Sequence, residues 1–133
     1  MARRLILLLA LLAALTGAAS VEAKQLTKYQ VGGGLASRFN ELTIQTDGKA
    51  KQTGDSGDHR FTVSAKRLRS LKRALKAARF KTLKRAYSPE GQVFDGTTEV
   101  IRYRGRSVSV SSGAEIPKRL AAVVSRLSRI MRY

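Results

Sequence analysis

Few side chains in this sequence could carry out acid-base or nucleophilic chemistry. His59 is the only histidine and there is no cysteine, so a Cys-His catalytic pair is excluded. A Ser-His-Asp site of the nucleophile-elbow type needs a serine on a strained strand-to-helix turn, and no segment resembles one. His59 lies beside residues rich in glycine and aspartate, where a solvated side chain or a strand entry is favoured. The sequence therefore predicts a protein that is not an enzyme.

The acidic and glycine-rich segments do not match the loops that bind calcium or phosphate. Asp47, Asp55 and Asp58 lack the alternating oxygen ligands and the bidentate glutamate of an EF-hand. Residues 32–34 are three glycines without the Gly-Lys-Ser/Thr ending of a phosphate loop. They fit either a flexible bend or a segment whose backbone approaches another protein closely, because glycine has no side chain in the way. No metal or cofactor is predicted.

The N-terminal segment has the composition of a secretory signal peptide. Two arginines precede an apolar run over residues 5–15, and small residues follow. The run is shorter than the roughly 20 residues of a membrane-spanning helix, which favours a cleaved signal over an uncleaved anchor. Cleavage is predicted after Ala23. We therefore expect a signal peptide over residues 1–23 and a single secreted domain over residues 24–133.

The predicted mature domain is strongly basic. The chain has 26 Lys and Arg and 9 Asp and Glu residues, and removing Arg3, Arg4 and Glu22 leaves 24 and 8, a net charge of +16. Without cysteines no disulfide can reinforce the fold, so a hydrophobic core must hold it together. The charge predicts anionic partners. Outside the cell these are wall polymers, lipid head groups or acidic proteins more often than nucleic acid.

Alternation of apolar and polar residues predicts two β-hairpins. In the first, residues 38–46 alternate, and Asp47-Gly48 gives a strong turn signal before a return strand over residues 49–53. In the second hairpin the turn is Arg104-Gly105. The other predicted strands and extended segments are residues 26–31, 59–63, 97–103 and 106–111.

The spacing of apolar residues predicts two amphipathic helices. Ser64 suits the N-cap of the first, which the helical period predicts to end near Arg79. The narrow apolar face of that helix consists of Leu68, Leu71, Leu75 and Ala78. The second helix begins with Pro117 in its first turn and has a broad apolar face. Together these patterns predict an α+β fold: an antiparallel four- to five-stranded sheet built from hairpins, with two amphipathic helices packed on one face.

The first helix and its exit carry ten Lys or Arg and no acid over residues 65–85. A peptide that inserts into lipid needs a wide apolar face, so the narrow leucine face predicts core packing as the first role of this helix. Its outer cations and those of the second hairpin are candidates for contact with an anionic surface: Arg69, Lys72, Arg73, Lys76, Arg102, Arg104 and Arg106. Nucleic acid is not favoured, because Tyr103 is the only aromatic among the hairpin arginines.

The order of short motifs along residues 26–131 resembles a known family. After a first strand come GGGLAS, LTIQTDGKA, ARFKTLKRAY, FDGTTEVIRYRGRSVSV and IPKRLAAVVSRL. This succession resembles the emfourin-like family of small bacterial protein inhibitors of thermolysin-type metalloproteases. Two positions of the glycine bend depart from the family pattern: Leu35 stands where an aromatic residue is expected, and Ser37 where glycine is expected.

The resemblance implies that an exposed loop blocks the active-site cleft of a zinc protease and performs no chemistry. By position, the candidate contacts are Gly33, Gly34, Leu35 and Ala36, with Asp95 and Gly96 as a second landmark. For Asp95 and Gly96, turn formation and strand entry are favoured over contact. The leading hypothesis is thus a secreted binding domain that inhibits such a protease. The alternative is a cationic module that binds anionic wall polymers or membrane surfaces, and a secreted hydrolase ranks below both.

Overall fold

The computed structural model describes residues 23–93 and 95–131, so the predicted signal peptide lies outside the described residues apart from Ala23. This part of the chain forms seven strands, two α-helices and a short 3-10 helix. The strands are β1 (Gln25–Gly33), β2 (Arg38–Gln45), β3 (Lys49–Gly54), β4 (His59–Thr62), β5 (Ala86–Tyr87), β6 (Thr97–Tyr103) and β7 (Arg106–Ser111). The helices are α1 (Ala65–Ala77) and α2 (Lys118–Ile130), and the 3-10 helix (Phe80–Thr82) follows α1.

The strands form one sheet in the order β4-β3-β2-β1-β6-β7-β5. Every neighbouring pair is antiparallel except β5 and β7, which are parallel. The two helices contact each other. The predicted α+β class is confirmed, but the predicted count of four to five strands is too low. Two edge strands account for the difference: β4 pairs with β3, and β5 is too short for its sequence to show alternation.

Strand register gives the sheet two chemically different faces. Tyr29 lies opposite both Leu42 and Ile101, and all three side chains are buried. One residue along, the charged side chains of Lys28 and Arg102 lie opposite each other on the alternate face. Because successive side chains of a strand point to opposite faces, the sheet has one buried face and one open face.

A single hydrophobic core joins the buried face of the sheet to both helices. Leu71 and Leu75 of α1 and Leu120 and Leu127 of α2 are fully buried in the same cluster as the buried strand residues. The ring of Phe80 meets the ring of Tyr103 edge-on, with a centroid distance of 5.3 Å. Leu71 and Leu75 belong to the narrow apolar face that the helical spacing of the first helix predicts.

The predicted end of α1 is confirmed. The helix ends at Ala77, and Arg79 then adopts a left-handed backbone conformation with φ of 49°. The 3-10 helix that begins with Phe80 follows this reversal, and Phe80 is buried in the same core as the leucines. At the C-terminal helix one detail differs from the prediction: Pro117 occupies the N-cap with an extended backbone, and α2 begins at Lys118.

Charged side chains at the helix N-termini do not stabilise the fold. The side chain of Ser64 accepts a 3.3 Å hydrogen bond from the backbone N–H of Arg67, as predicted for an N-cap. Neither helix has an acidic residue in its first turn, and α1 has Lys66 and Arg67 there instead. Positive side chains at this end oppose the helix macrodipole. The helices are therefore held by burial of their apolar faces.

Truncation of one core leucine should destabilise the domain strongly. We expect Leu75→Ala to lower the free energy of unfolding by about 2–5 kcal/mol, because it removes a fully buried side chain and leaves a cavity. Urea denaturation measures this value. Arg69→Ala, an exposed change on the same helix, should stay within about 0.5 kcal/mol of wild type. Equal effects of the two variants would contradict the assigned helix face.

Candidate functional site

The connection between β1 and β2 is a tight turn built on unusual backbone angles. Gly33 and Gly34 have φ of 103° and 83°, and Ser37 has φ of 46°. The N–H of Ser37 donates a 3.0 Å hydrogen bond to the carbonyl of Gly34 and closes the turn. These positive φ values place all three residues in the left-handed backbone region, which glycine adopts at the lowest conformational cost. Ser37 keeps the conformation that a glycine would favour at this position.

The two groups of residues predicted from the family pattern lie together in the structure. Gly34 donates a 3.3 Å backbone hydrogen bond to the carbonyl of Gly96. A side chain at Gly33 would stand 2.9 Å from that same carbonyl oxygen, so this position has room only for glycine. The carboxylate of Asp95 accepts a hydrogen bond from the backbone N–H of Leu35. Asp95 therefore holds the turn in place, in keeping with the structural role favoured for it.

The side chain of Leu35 projects from this turn and is 90% exposed. Phe39 and Val93 are 46% and 47% exposed, and these three are the exposed large hydrophobic residues of the described part of the chain. Phe39 lies opposite Gly32, next to the turn. Val93 lies beside Gly96. We call Leu35, Phe39 and Val93 the loop-end patch, because all three lie at the end of the sheet that carries the turn.

Two members of the loop-end patch were not identified from the sequence. The alternation of β2 contains the signal for Phe39. Leu42 and Ile44 point to the buried face, and Phe39 lies out of phase with them, among the polar residues of the open face. Val93 lies in an irregular segment, where no periodicity marks it as exposed. Ala36, a predicted contact residue, is exposed in the turn beside Leu35.

The basic candidates on α1 lie on its solvent side. Arg69, Lys72, Arg73 and Lys76 are all exposed. Lys72 also has a structural role, since its Nζ donates a 2.7 Å hydrogen bond to the carbonyl of Thr46 in the turn after β2. The α1 residues thus form part of one cationic surface.

The hairpin arginines do not join that surface as a group. Arg102 projects from the open face of the sheet, where its Nε donates a 3.1 Å hydrogen bond to Ser107. Arg104 lies over the ring of Tyr103, 5.2 Å from its centroid. Arg106 donates a 3.1 Å hydrogen bond to the carbonyl of Leu83. The predicted cations therefore fall into two sets, one on α1 and one on the hairpin, and the hairpin arginines make contacts within the domain.

Positive charge is concentrated in the helical half of the domain. Residues 65–85 and 118–131 contain 14 Lys and Arg and no acid, and all eight acids after residue 23 lie in other segments. We call these two segments the helical layer. The ion pairs between described residues lie elsewhere: Lys28–Glu41, Lys49–Asp47 and Lys51–Asp58. None of these three ion pairs includes a cation of the helical layer, so the positive charge of that layer is not neutralised by them.

On the open face of the sheet, by contrast, a carboxylate is stabilised locally. The amide of Gln30 donates a 2.6 Å hydrogen bond to Glu41, and Lys28 lies 3.3 Å from the same carboxylate. These contacts, with the Gln30 hydrogen bond as the largest cause, lower the pKa of Glu41 against the opposing effect of burial. Glu41 thus stays ionised and neutralises part of the positive charge on this face.

Comparisons with known proteins give no assignment. No protein-family model matches the chain. A search of curated proteins also finds no match. Residues 23–93 and 95–131 contain no group of three or more His, Asp or Glu side chains that could hold a metal ion. None of the helices in that part of the chain is long and apolar enough to cross a membrane.

Removal of the Asp95 carboxylate should loosen the turn without unfolding the domain. In Asp95→Ala we expect the amide of Leu35 to exchange with solvent at least about 10-fold faster, because a hydrogen bond to a charged group is lost. Amide hydrogen exchange followed by NMR measures the rate. Asp58→Ala, which removes an exposed ion pair with Lys51, is the control and should leave this amide unchanged. An unaltered Leu35 amide in Asp95→Ala would show that the carboxylate does not hold the turn.

Proposed function

We propose that this chain is a secreted, non-enzymatic α+β domain that binds another protein through the loop-end patch, and that the partner is a thermolysin-type metalloprotease. The observation that carries the proposal is the position of the exposed large hydrophobic residues. In a chain with a net charge of +17, the three such residues of the described part lie at one end of the sheet. Exposed apolar side chains that group at one place on a surface indicate an interaction site, whereas singly scattered ones do not.

The geometry of the turn suits insertion into a cleft. Leu35 presents an exposed side chain from a backbone that Asp95 and Gly96 hold in place. A loop held in its binding conformation loses less conformational entropy when it binds. Both helices cover the buried face of the sheet, and no helix residue is part of the loop-end patch. The loop therefore can enter a concave site while the rest of the domain stays outside.

The class of the partner rests on the resemblance to the emfourin-like family. That resemblance implies blockade of a zinc protease by the glycine bend. The two departures preserve the properties that such a bend needs: Leu35 is still a large apolar side chain, and Ser37 still has a positive φ. Both departures are therefore compatible with a loop that inserts an apolar anchor.

The proposal predicts inhibition that depends on Leu35. Residues 24–133 should inhibit the cleavage of a peptide substrate by thermolysin, and Leu35→Glu should weaken inhibition by about 30-fold or more, as expected when a central anchor is lost. The variant should fold normally, because Leu35 is 90% exposed. Inhibition constants from steady-state kinetics measure the effect.

Thr62→Glu is the matched control for this experiment. Thr62 is exposed on β4, outside the loop-end patch, and its substitution changes the net charge by the same amount. It should inhibit as wild type does. An absence of inhibition by micromolar wild-type protein would reject the protease as partner. Equal inhibition by wild type and Leu35→Glu would instead reject this loop as the contact.

The second candidate function is binding to anionic wall polymers or membrane surfaces. It is favoured by the 14 cations of the helical layer, which no acid of that layer neutralises. Lys66 and Arg67 stand in the first turn of α1, where they oppose the helix macrodipole. The charges of Lys66 and Arg67 do not stabilise the helix, so binding of an external anion is the simplest physical explanation for their presence.

The second function predicts binding that salt abolishes. Protein bound to vesicles with anionic lipids should be released between about 50 and 500 mM NaCl, because the screening length falls well below 10 Å. Reversal of Arg69, Arg73 and Lys76 to Glu should release it at low salt, measured by vesicle sedimentation. The control, with the same change in charge, reverses Lys24, Lys49 and Arg60, which lie outside the helical layer. Equal release by both triple variants would reject the helical layer as the contact surface.

A further inference from the structure

A groove of about 360 Å³ lies between the two helices, outside the loop-end patch and outside the set of basic residues predicted from the sequence. Hydrogen bonds show that the helices run antiparallel, since Arg119 near the start of α2 reaches Ala78 at the end of α1. The groove is lined by Arg67 and Ser70 of α1 and by Ala122, Ser125, Arg126 and Arg129 of α2. Three guanidinium groups and two hydroxyl groups thus belong to one groove.

Arg126 is held in a fixed orientation within this groove. Its Nε donates a 2.8 Å hydrogen bond to the hydroxyl of Ser70, and its Nη1 donates a 3.0 Å hydrogen bond to the carbonyl of Ala122. A guanidinium has five N–H donors in a rigid plane, so these two bonds leave donors for a ligand. Because the side chain is already ordered, little further entropy is lost when it binds one.

Arg67 and Arg129 line the same groove as Arg126 and also line an adjoining hollow of about 180 Å³. Both side chains are exposed. No carboxylate lines either hollow, and the helical layer contains no acid that could neutralise the three charges. Like charges gathered without a counter-charge repel each other, and a bound anion relieves that repulsion. The groove is therefore built to favour an anion over water.

The chemistry of the groove selects the kind of anion. Arginine binds phosphate through two parallel charge-assisted hydrogen bonds. Three arginines match a phosphate monoester, which carries about −1.5 to −2 charges at pH 7, better than a singly charged carboxylate. The volume is that of a small-molecule site, so it has room for the group that carries the phosphate.

We propose that the groove between α1 and α2 is a phosphate-binding site, formed by Arg67, Arg126 and Arg129 with the hydroxyls of Ser70 and Ser125. This site shares no residue with the loop-end patch, so it does not depend on protease inhibition. It also differs from general attraction to an anionic surface, because it assigns binding to three particular arginines rather than to the summed charge of the helical layer.

The test is an NMR titration of the 15N-labelled protein at constant ionic strength with inorganic phosphate, glycerol 3-phosphate and acetate. We expect saturable shifts of the Arg126 Nε–H and the groove amides with the phosphates, and none with acetate. Tighter binding of glycerol 3-phosphate would identify an ester-borne phosphate as the ligand, and tighter binding of inorganic phosphate would identify the free ion. Both results support the site. Shifts that do not saturate, or equal shifts with acetate, would overturn it.

Two double variants distinguish phosphate binding by the groove arginines from attraction by the net charge of the protein. The double variant R67Q/R129Q should weaken phosphate binding by about 10-fold or more, because two charged donors are lost. Both side chains are exposed, so folding should not be affected. The control R69Q/R73Q removes the same charge from exposed positions of α1 outside the groove and should change the affinity by less than about 2-fold. Equal weakening by the two double variants would show that phosphate is attracted by net charge alone, and would overturn the proposal.

Discussion

Burial of strand residues and helix leucines in a single hydrophobic core is the constraint on which the rest of this structure depends. The chain has no cysteine and a net charge of +17, so neither disulfides nor overall electrostatics hold it together. Two helical cations reinforce the same packing by donating to backbone carbonyls: Lys72 to Thr46 and Arg119 to Ala78. The basic layer thus contributes structural hydrogen bonds while most of its charge faces solvent.

The same sheet creates the candidate binding loop. Antiparallel pairing places Gly33 at the end of β1 opposite Thr97 at the start of β6, so Asp95 and Gly96 arrive next to the β1–β2 turn. Asp95 and Leu35 are 60 positions apart in the sequence, yet one hydrogen bond joins them. The exposed position of Leu35 therefore depends on the register of the sheet, which brings Asp95 to the turn, as well as on the glycines that form the turn.

Local signals account for what could be predicted from the sequence. The hairpins around Asp47-Gly48 and Arg104-Gly105 and the end of α1 near Arg79 are fixed by residues close in the chain. Strand β5 escaped prediction because two residues show no period and its parallel partner β7 lies far along the sequence. The spatial grouping of the cations could not be predicted either. Arg102 and the α1 cations are all positive but lie on different faces of the domain. The groove of Arg67, Arg126 and Arg129 forms only because two helices that are distant in the sequence pack together.

The two proposed contact surfaces place different demands on the same fold. The loop-end patch needs a rigid turn and an apolar anchor, which Asp95 and Leu35 provide. The helical layer needs uncompensated charge, which the fold tolerates even in the first turn of α1 because burial of leucine outweighs an unfavourable macrodipole of about 0.3–1 kcal/mol per charge. Since the surfaces share no residue, occupancy of one leaves the other accessible. An anionic surface that retained the domain through its helices would then raise the local concentration of the loop for a protein partner held at the same surface.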